Sequence, residues 1–109
     1  MSHTVVFTPE AEAQLVELYT YIAAKASPEI AARFTDGIVT YCESLSTFPF
    51  RGSRRDDIRP GLRVAGYRKR VAIAFHPEQD RVNIIGVFYG GQDYEAALLE
   101  EERWDAEGK

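Results

Sequence analysis

The sequence predicts an α+β fold of order β-α-α-β-β-β-α. The sheet is mostly antiparallel, an N-terminal helical hairpin packs on it, and a short C-terminal helix closes the chain. Three observations lead there. Two amphipathic stretches in the first half each begin with a capping hydroxyl and a proline, and only a few residues join them. β-branched and apolar runs separated by turn residues fill the second half. Helix and strand patterns do not alternate strictly, which argues against a doubly wound parallel sheet.

Thr4-Val5-Val6-Phe7 is a short β-rich run and reads as the first strand. Thr8-Pro9-Glu10 then opens a helix, with Thr8 as N-cap, proline at the first helical position and an acid in the first turn. Ala11, Leu15, Leu18, Tyr19 and Ile22 form its apolar stripe. Ser27-Pro28-Glu29 repeats the start signal, ending the first helix near Lys25. Ile30, Phe34, Ile38, Tyr41, Leu45 and Phe48 form the second stripe, and Gly37 weakens that helix unless a close contact uses it. Two such helices with so short a link must pack antiparallel.

Pro49 ends the second helix, and the segment PFRGSRRDDIRPG reads as a loop. Strands are expected over Leu62 to Val64, Arg68 to His76 and Arg81 to Tyr89, with a proline-initiated turn between the last two. The third is apolar on both faces apart from Asn83, as a strand covered on each side should be. Gly90-Gly91 stops it, and Asp93 caps a last helix in which Tyr94, Ala97 and Leu98 can face the sheet.

The 109 residues are the size of one domain, read as 1–109 without linker or repeat. Hydrophobic residues make up 45% and charged residues 28%, a globular composition. No apolar run reaches the ~20 residues of a membrane span, and the N-terminus lacks the order of a signal peptide, so a cytoplasmic protein is expected. Cys42 is the single cysteine, which excludes an internal disulfide and any multi-cysteine zinc site. It falls within a helical apolar pattern and reads as a core thiol. No cofactor and no metal are expected.

Charge is unevenly spread although the net value is -4. Residues 51–70 hold Arg51, Arg54, Arg55, Arg59, Arg63, Arg68, Lys69 and Arg70 against Asp56 and Asp57, whereas residues 93–109 hold seven acids against Arg103 and Lys109. The plain reading is a solvated positive face and a solvated negative tail that screen each other. Eight of thirteen basic residues in one window also fits a surface aimed at an anionic partner.

The order and several motifs resemble the ParE/RelE superfamily of toxins from bacterial type II toxin–antitoxin systems. The segments are FTPEAEAQLVELYTYIA (7–23), PEIAARFTDGIVTYCESLSTFPFRG (28–52), RPGLRVAGYRKRVAIAF (59–75) and RVNIIGVFYGGQDYEAAL (81–98). Most specific are RPGLR followed by YR, and the spacing of Ile85, Val87, Gly90 and Asp93. The resemblance implies one of two activities. RelE-like members are ribosome-dependent mRNA endonucleases, whereas ParE-like members poison DNA gyrase.

Metal-free RNA cleavage needs a base, an acid and cations on the phosphate. His3 lies near the terminus, and His76 fits a turn role. Tyr89, where RelE-type nucleases place reactive side chains, has no local base or cation beside it. The net acidity also disfavours general RNA affinity. The ParE branch is therefore the primary reading: a gyrase inhibitor with no catalytic residue, neutralised by a ParD-like antitoxin in a hetero-oligomer that meets operator DNA only through the antitoxin. A RelE-type endoribonuclease is the alternative, and a non-toxic interaction module of the same fold the second alternative.

The expected antitoxin- or target-binding residues are Arg54, Arg55, Arg59, Arg63, Arg68, Arg70, Tyr89 and Gln92. Gly91 and Gln92 stand where many ParE sequences keep two arginines. Some of Tyr21, Val39, Phe50, Ile58 and Leu99 should also form an exposed apolar groove for the partner.

Overall fold

The computed structural model describes residues 3–90. Strand β1 (Thr4–Phe7) leads into helices α1 (Pro9–Lys25) and α2 (Pro28–Ser44). Strands β2 (Ser53–Arg54), β3 (Arg63–Tyr67), β4 (Val71–Pro77) and β5 (Arg81–Tyr89) follow. They form one mixed sheet of order β1-β5-β4-β3-β2. β1 runs parallel to β5, and every other neighbouring pair is antiparallel. The helical hairpin lies on one face, giving the α+β architecture that the pattern predicts.

Both helices start where their caps say. The Thr8 hydroxyl accepts the Ala11 N–H at 3.2 Å and donates to the Ile84 carbonyl at 3.0 Å, so one cap also ties α1 to β5. The Ser27 hydroxyl accepts the Ile30 N–H at 3.1 Å. α1 and α2 bury Ala11, Leu18, Ile38, Cys42 and Leu45 against Ala65, Val71, Ile73, Phe75, Val82, Ile84 and Val87 of the sheet. A smaller cluster of Ile58, Leu62, Ala74 and Phe88 lies on the opposite face. Gly37 is used as expected of a tolerated helix glycine: the Tyr67 hydroxyl occupies the space where a Cβ would project.

Several expectations need correction. Residues 53–54 form a short edge strand inside the expected loop. The strand expected over 62–64 runs from Arg63 to Tyr67, and the next begins at Val71 rather than Arg68. Arg68 and Lys69 instead form a mirror-image turn with φ of 53° and 60°, closed by the Arg70 N–H donating to the Tyr67 carbonyl at 3.1 Å. The turn lacks the Asn or Gly that normally announces it, which is why the pattern reads as strand.

The second apolar stripe also shifts at its ends. Ile30 is exposed, and Ala31 takes the buried place in that turn. Phe48 lies beyond the last residue of α2, where helical spacing no longer governs which side chains point inward, and Leu45 is the last buried one. Ile58, expected in an exposed groove, is buried, because the turn at 55–59 folds it onto Leu62 and Phe88. The expected C-terminal helix, with Asp93, Tyr94, Ala97 and Leu98, lies outside the described residues, as do Gln92 and Leu99.

Candidate functional site

The basic window does not form one surface. It separates into two groups at opposite ends of β3, roughly 16 Å apart at a strand rise of ~3.3 Å per residue.

The first group lies at the β2–β3 edge. Two arginines there are met by adjacent acids: Arg54 Nη2 is 2.7 Å from Asp56 Oδ2, and Arg55 grips both oxygens of Asp57 at 3.0 and 2.8 Å. Asp56 also accepts the Gly61 N–H at 2.8 Å. That backbone bond, and then Arg54, hold the Asp56 carboxyl below its ordinary value. The Arg55 bond does the same for Asp57. Arg59 sits half-buried in the same turn.

Gly61 has φ of 83°, and a Cβ there would strike the His76 ring. His76 Nε2 lies 3.1 Å from the Pro60 carbonyl, so it donates to it and holds the turn against β4. His76 thus lies within β4, and the turn it holds is the one at Pro60 and Gly61 rather than the proline turn that follows it.

Arg63 is also committed. Its guanidinium donates to the carbonyls of Phe50 at 2.6 Å, Arg51 at 3.0 Å and Gly52 at 3.3 Å. This fork fixes the chain after α2 and displays two phenylalanines. Phe48 is 54% exposed and Phe50 67%. Arg51 lies over the rings of Phe48 and Tyr41 at 5.0 and 5.5 Å, and Arg63 over Phe50 at 5.8 Å. Arginines laid on exposed aromatic rings have the composition of a protein-interface anchor.

The second group is the β3–β4 turn, where Arg68, Lys69 and Arg70 are all exposed. Arg68 Nε donates to the Tyr67 hydroxyl at 3.2 Å. The Arg70 carbonyl accepts the Gly90 N–H at 2.9 Å, tying the turn to the end of β5. Behind it runs a row of rings. Tyr21 is 6.0 Å from Tyr89, Tyr89 is 6.0 Å from Phe34, and Phe34 is 5.9 Å from Tyr67. Tyr89, an expected contact residue, is thus half-buried among aromatic rings. Tyr21 is exposed and Val39 half-buried.

Between α1 and the end of β5 lies a cleft of about 400 Å³, lined by Gln14, Glu17, Leu18, Tyr21, Val87, Tyr89 and Gly90. It exists because β1 ends opposite Ile84, so among the described residues no strand covers the outer edge of β5 beyond that point. Gln14 Oε1 accepts the Val87 N–H at 2.6 Å and replaces one missing ladder bond. A lone glutamine on a helix carries no pattern that would reveal this role. Phe48 reads from helical spacing as part of the apolar stripe and Arg51 only as a member of the basic window, so the sequence did not reveal the patch they form. Cys42 is fully buried, and desolvation, with Glu43 nearby, pushes its thiol up to about 12. It is a core thiol, as its position in the apolar pattern suggests.

Among the described residues no helix is long and apolar enough to cross a membrane. The family model for the ParE toxin of the type II toxin–antitoxin system parDE matches residues 5–94. A solved structure described as the chromosomal ParDE TA system from P. aeruginosa is similar in fold, with a TM-score of 0.71 at 20% identity. The alignment covers 82% of this chain and 97% of that one. No curated protein matches the sequence.

Proposed function

The chain belongs to the ParE toxin family of type II toxin–antitoxin systems, and from that membership we propose that it inhibits DNA gyrase and is silenced by a ParD-like antitoxin. In this reading it acts by covering another macromolecule. It needs no catalytic residue, works in the cytoplasm, and meets operator DNA only through the antitoxin.

The observation that carries the partner half of the proposal is the aromatic–arginine patch. Phe48 and Phe50 project into solvent, each beneath a guanidinium, and Arg63 spends its hydrogen bonds on holding them there. Two large exposed rings on a domain this small are costly to leave wet, and a partner chain that covers them recovers that area. The Arg54, Arg55, Arg59 and Arg63 side of the sheet forms the polar rim of that contact. The Arg68, Arg70 and Tyr89 end is left for the target, and Gln92 is carried as a target contact from the sequence alone.

The test has two stages. Induced expression should arrest growth, and coexpression of the antitoxin should relieve the arrest. Purified protein should then inhibit supercoiling by gyrase and accumulate cleaved DNA. Cleavage of mRNA on ribosomes, with gyrase unaffected, would sink the reading. Phe48→Ala with Phe50→Ala should weaken antitoxin capture while the isolated fold keeps its melting temperature.

A further inference from the structure

We propose that the β3–β4 turn, through Lys69 and Arg70 with Arg68 beside them, is a contact site for the phosphodiester backbone of nucleic acid. This goes beyond the gyrase reading and does not depend on which protein is the target.

The inference starts from a contrast among the basic residues. Arg54 and Arg55 are neutralised by Asp56 and Asp57. Arg63 is bound to three carbonyls. Arg81 lies 3.8 Å from Asp80. Lys69 and Arg70 have no carboxylate partner among the described residues, and Arg68 reaches only the Tyr67 hydroxyl and ring. Three adjacent cations without a carboxylate partner among the described residues are therefore gathered on one tight turn, whereas Lys25 and Arg51 stand singly over aromatic rings.

Two features of this turn work against stability. Three adjacent cations repel one another. Arg68 and Lys69 also hold the left-handed φ that Gly, Asn and Asp adopt far more readily. The Tyr67–Val71 pairing and the Arg70 N–H on the Tyr67 carbonyl hold this backbone, but no carboxylate among the described residues answers the charge. Conformations of this kind persist where the side chains they present have a use outside the fold.

Composition then chooses between an acidic protein and a phosphate backbone. Among the described residues the exposed large apolar side chains are Val6, Val16, Tyr19, Tyr21, Ile30, Phe48 and Phe50; none of them lies on β3, β4, β5 or this turn, and Tyr21 ends the ring row behind it. A turn of three cations that carries no exposed apolar side chain of its own is a composition that protein interfaces disfavour. It is the composition that phosphate contacts use, because cations release condensed counterions and need no buried apolar area. The net charge of -4 works against general nucleic-acid affinity, so the contact proposed is a local one at this turn.

The experiment measures binding of the full chain to a short fluorescent DNA duplex across a salt series. Two additional titrants are an RNA duplex of the same sequence and a polyglutamate peptide. Binding that weakens with salt is expected for both nucleic acids. Lys69→Gln with Arg70→Gln should lower the slope of log K against log salt by about 2, close to the ~0.9 expected per lost phosphate contact. Arg54→Gln, which removes a neutralised arginine, should leave the slope unchanged.

Lys69→Gly supplies the control for folding. It relieves the left-handed residue, so it should raise the melting temperature while lowering the slope by about one. An unchanged slope in the double variant would overturn the proposal. So would loss of polyglutamate binding with nucleic acid binding intact, which would assign the turn to an acidic protein instead. Neither result bears on supercoiling inhibition, so this proposal and the gyrase reading can fail separately.

Discussion

Gly37→Ala is the perturbation whose outcome the packing decides most sharply. Gly37 lies inside α2, where alanine normally gains up to ~1 kcal/mol over glycine. Here the added Cβ would collide with the Tyr67 hydroxyl, and the ring carbon that carries it would be 3.3 Å away. The ring has little freedom to retreat, because it packs against Phe34 at 5.9 Å and Tyr41 at 5.6 Å. Overpacking of this kind costs about 1–3 kcal/mol. Set against the helical gain, the single variant should be less stable by up to about 2 kcal/mol.

Tyr67→Phe removes the colliding oxygen and an exposed bond to Arg68, at a cost under ~1 kcal/mol. On that background Gly37→Ala should recover a few tenths of a kcal/mol or more of its helical gain, limited by the ring carbon that remains. Urea unfolding of the wild type, both single variants and the double variant closes a thermodynamic cycle. The coupling should be about 1–2 kcal/mol in favour of the double variant. Additivity within ~0.5 kcal/mol would refute the claim that this glycine serves the tyrosine.

Three further outcomes follow from described contacts. Arg63→Ala should cost about 1 kcal/mol and speed amide exchange and proteolysis at residues 50–53, and Arg63→Lys should not restore protection because an ammonium cannot fork across three carbonyls. Asp56 and Asp57 are both held below their ordinary value of 3.8, so their contribution is complete above that value and is lost as pH falls through the lower folded-state values. Acid titration of stability should therefore flatten below about pH 4 in Asp56→Asn with Asp57→Asn, and an unchanged acid limb would contradict the pairing. Cys42, with its thiol near 12, should resist thiol reagents in the native state at pH 8, where about one molecule in ten thousand is ionised. Labelling at the rate of a free thiol without unfolding would contradict its burial.

The elements that were legible in the sequence are those whose signals are local. Thr8-Pro9 and Ser27-Pro28 announce two helix starts, and the structure starts both helices there. The alternation of Val71, Ile73 and Phe75 identifies the face of β4 that meets the helices. Features set by distant partners were not legible. The edge strand at 53–54 exists only because Arg63 and Val64 lie opposite it. The Arg68-Lys69 turn is imposed by the pairing of Tyr67 with Val71, against the local preference of both residues. The candidate site shows the same division. The basic window was plain as composition, but Arg54-Arg55-Asp56-Asp57 spends two of the eight cations on internal pairs, and Arg63 is spent on carbonyls thirteen, twelve and eleven residues earlier. Which charges stay free is a property of the folded chain, not of the window.

The parallel pairing of β1 with β5 joins Thr4 to Arg81 and Phe7 to Ile84. A ribosome delivers these partners at opposite ends of its work, so the first strand waits for nearly the whole described chain before it can dock. Closure over such a span is slow, and a truncated nascent product has no completed sheet on which to display its two phenylalanines or its cationic turn. A chain cut short of β5 leaves β1 without its parallel partner and α1 without the strand that its cap and Gln14 are bonded to.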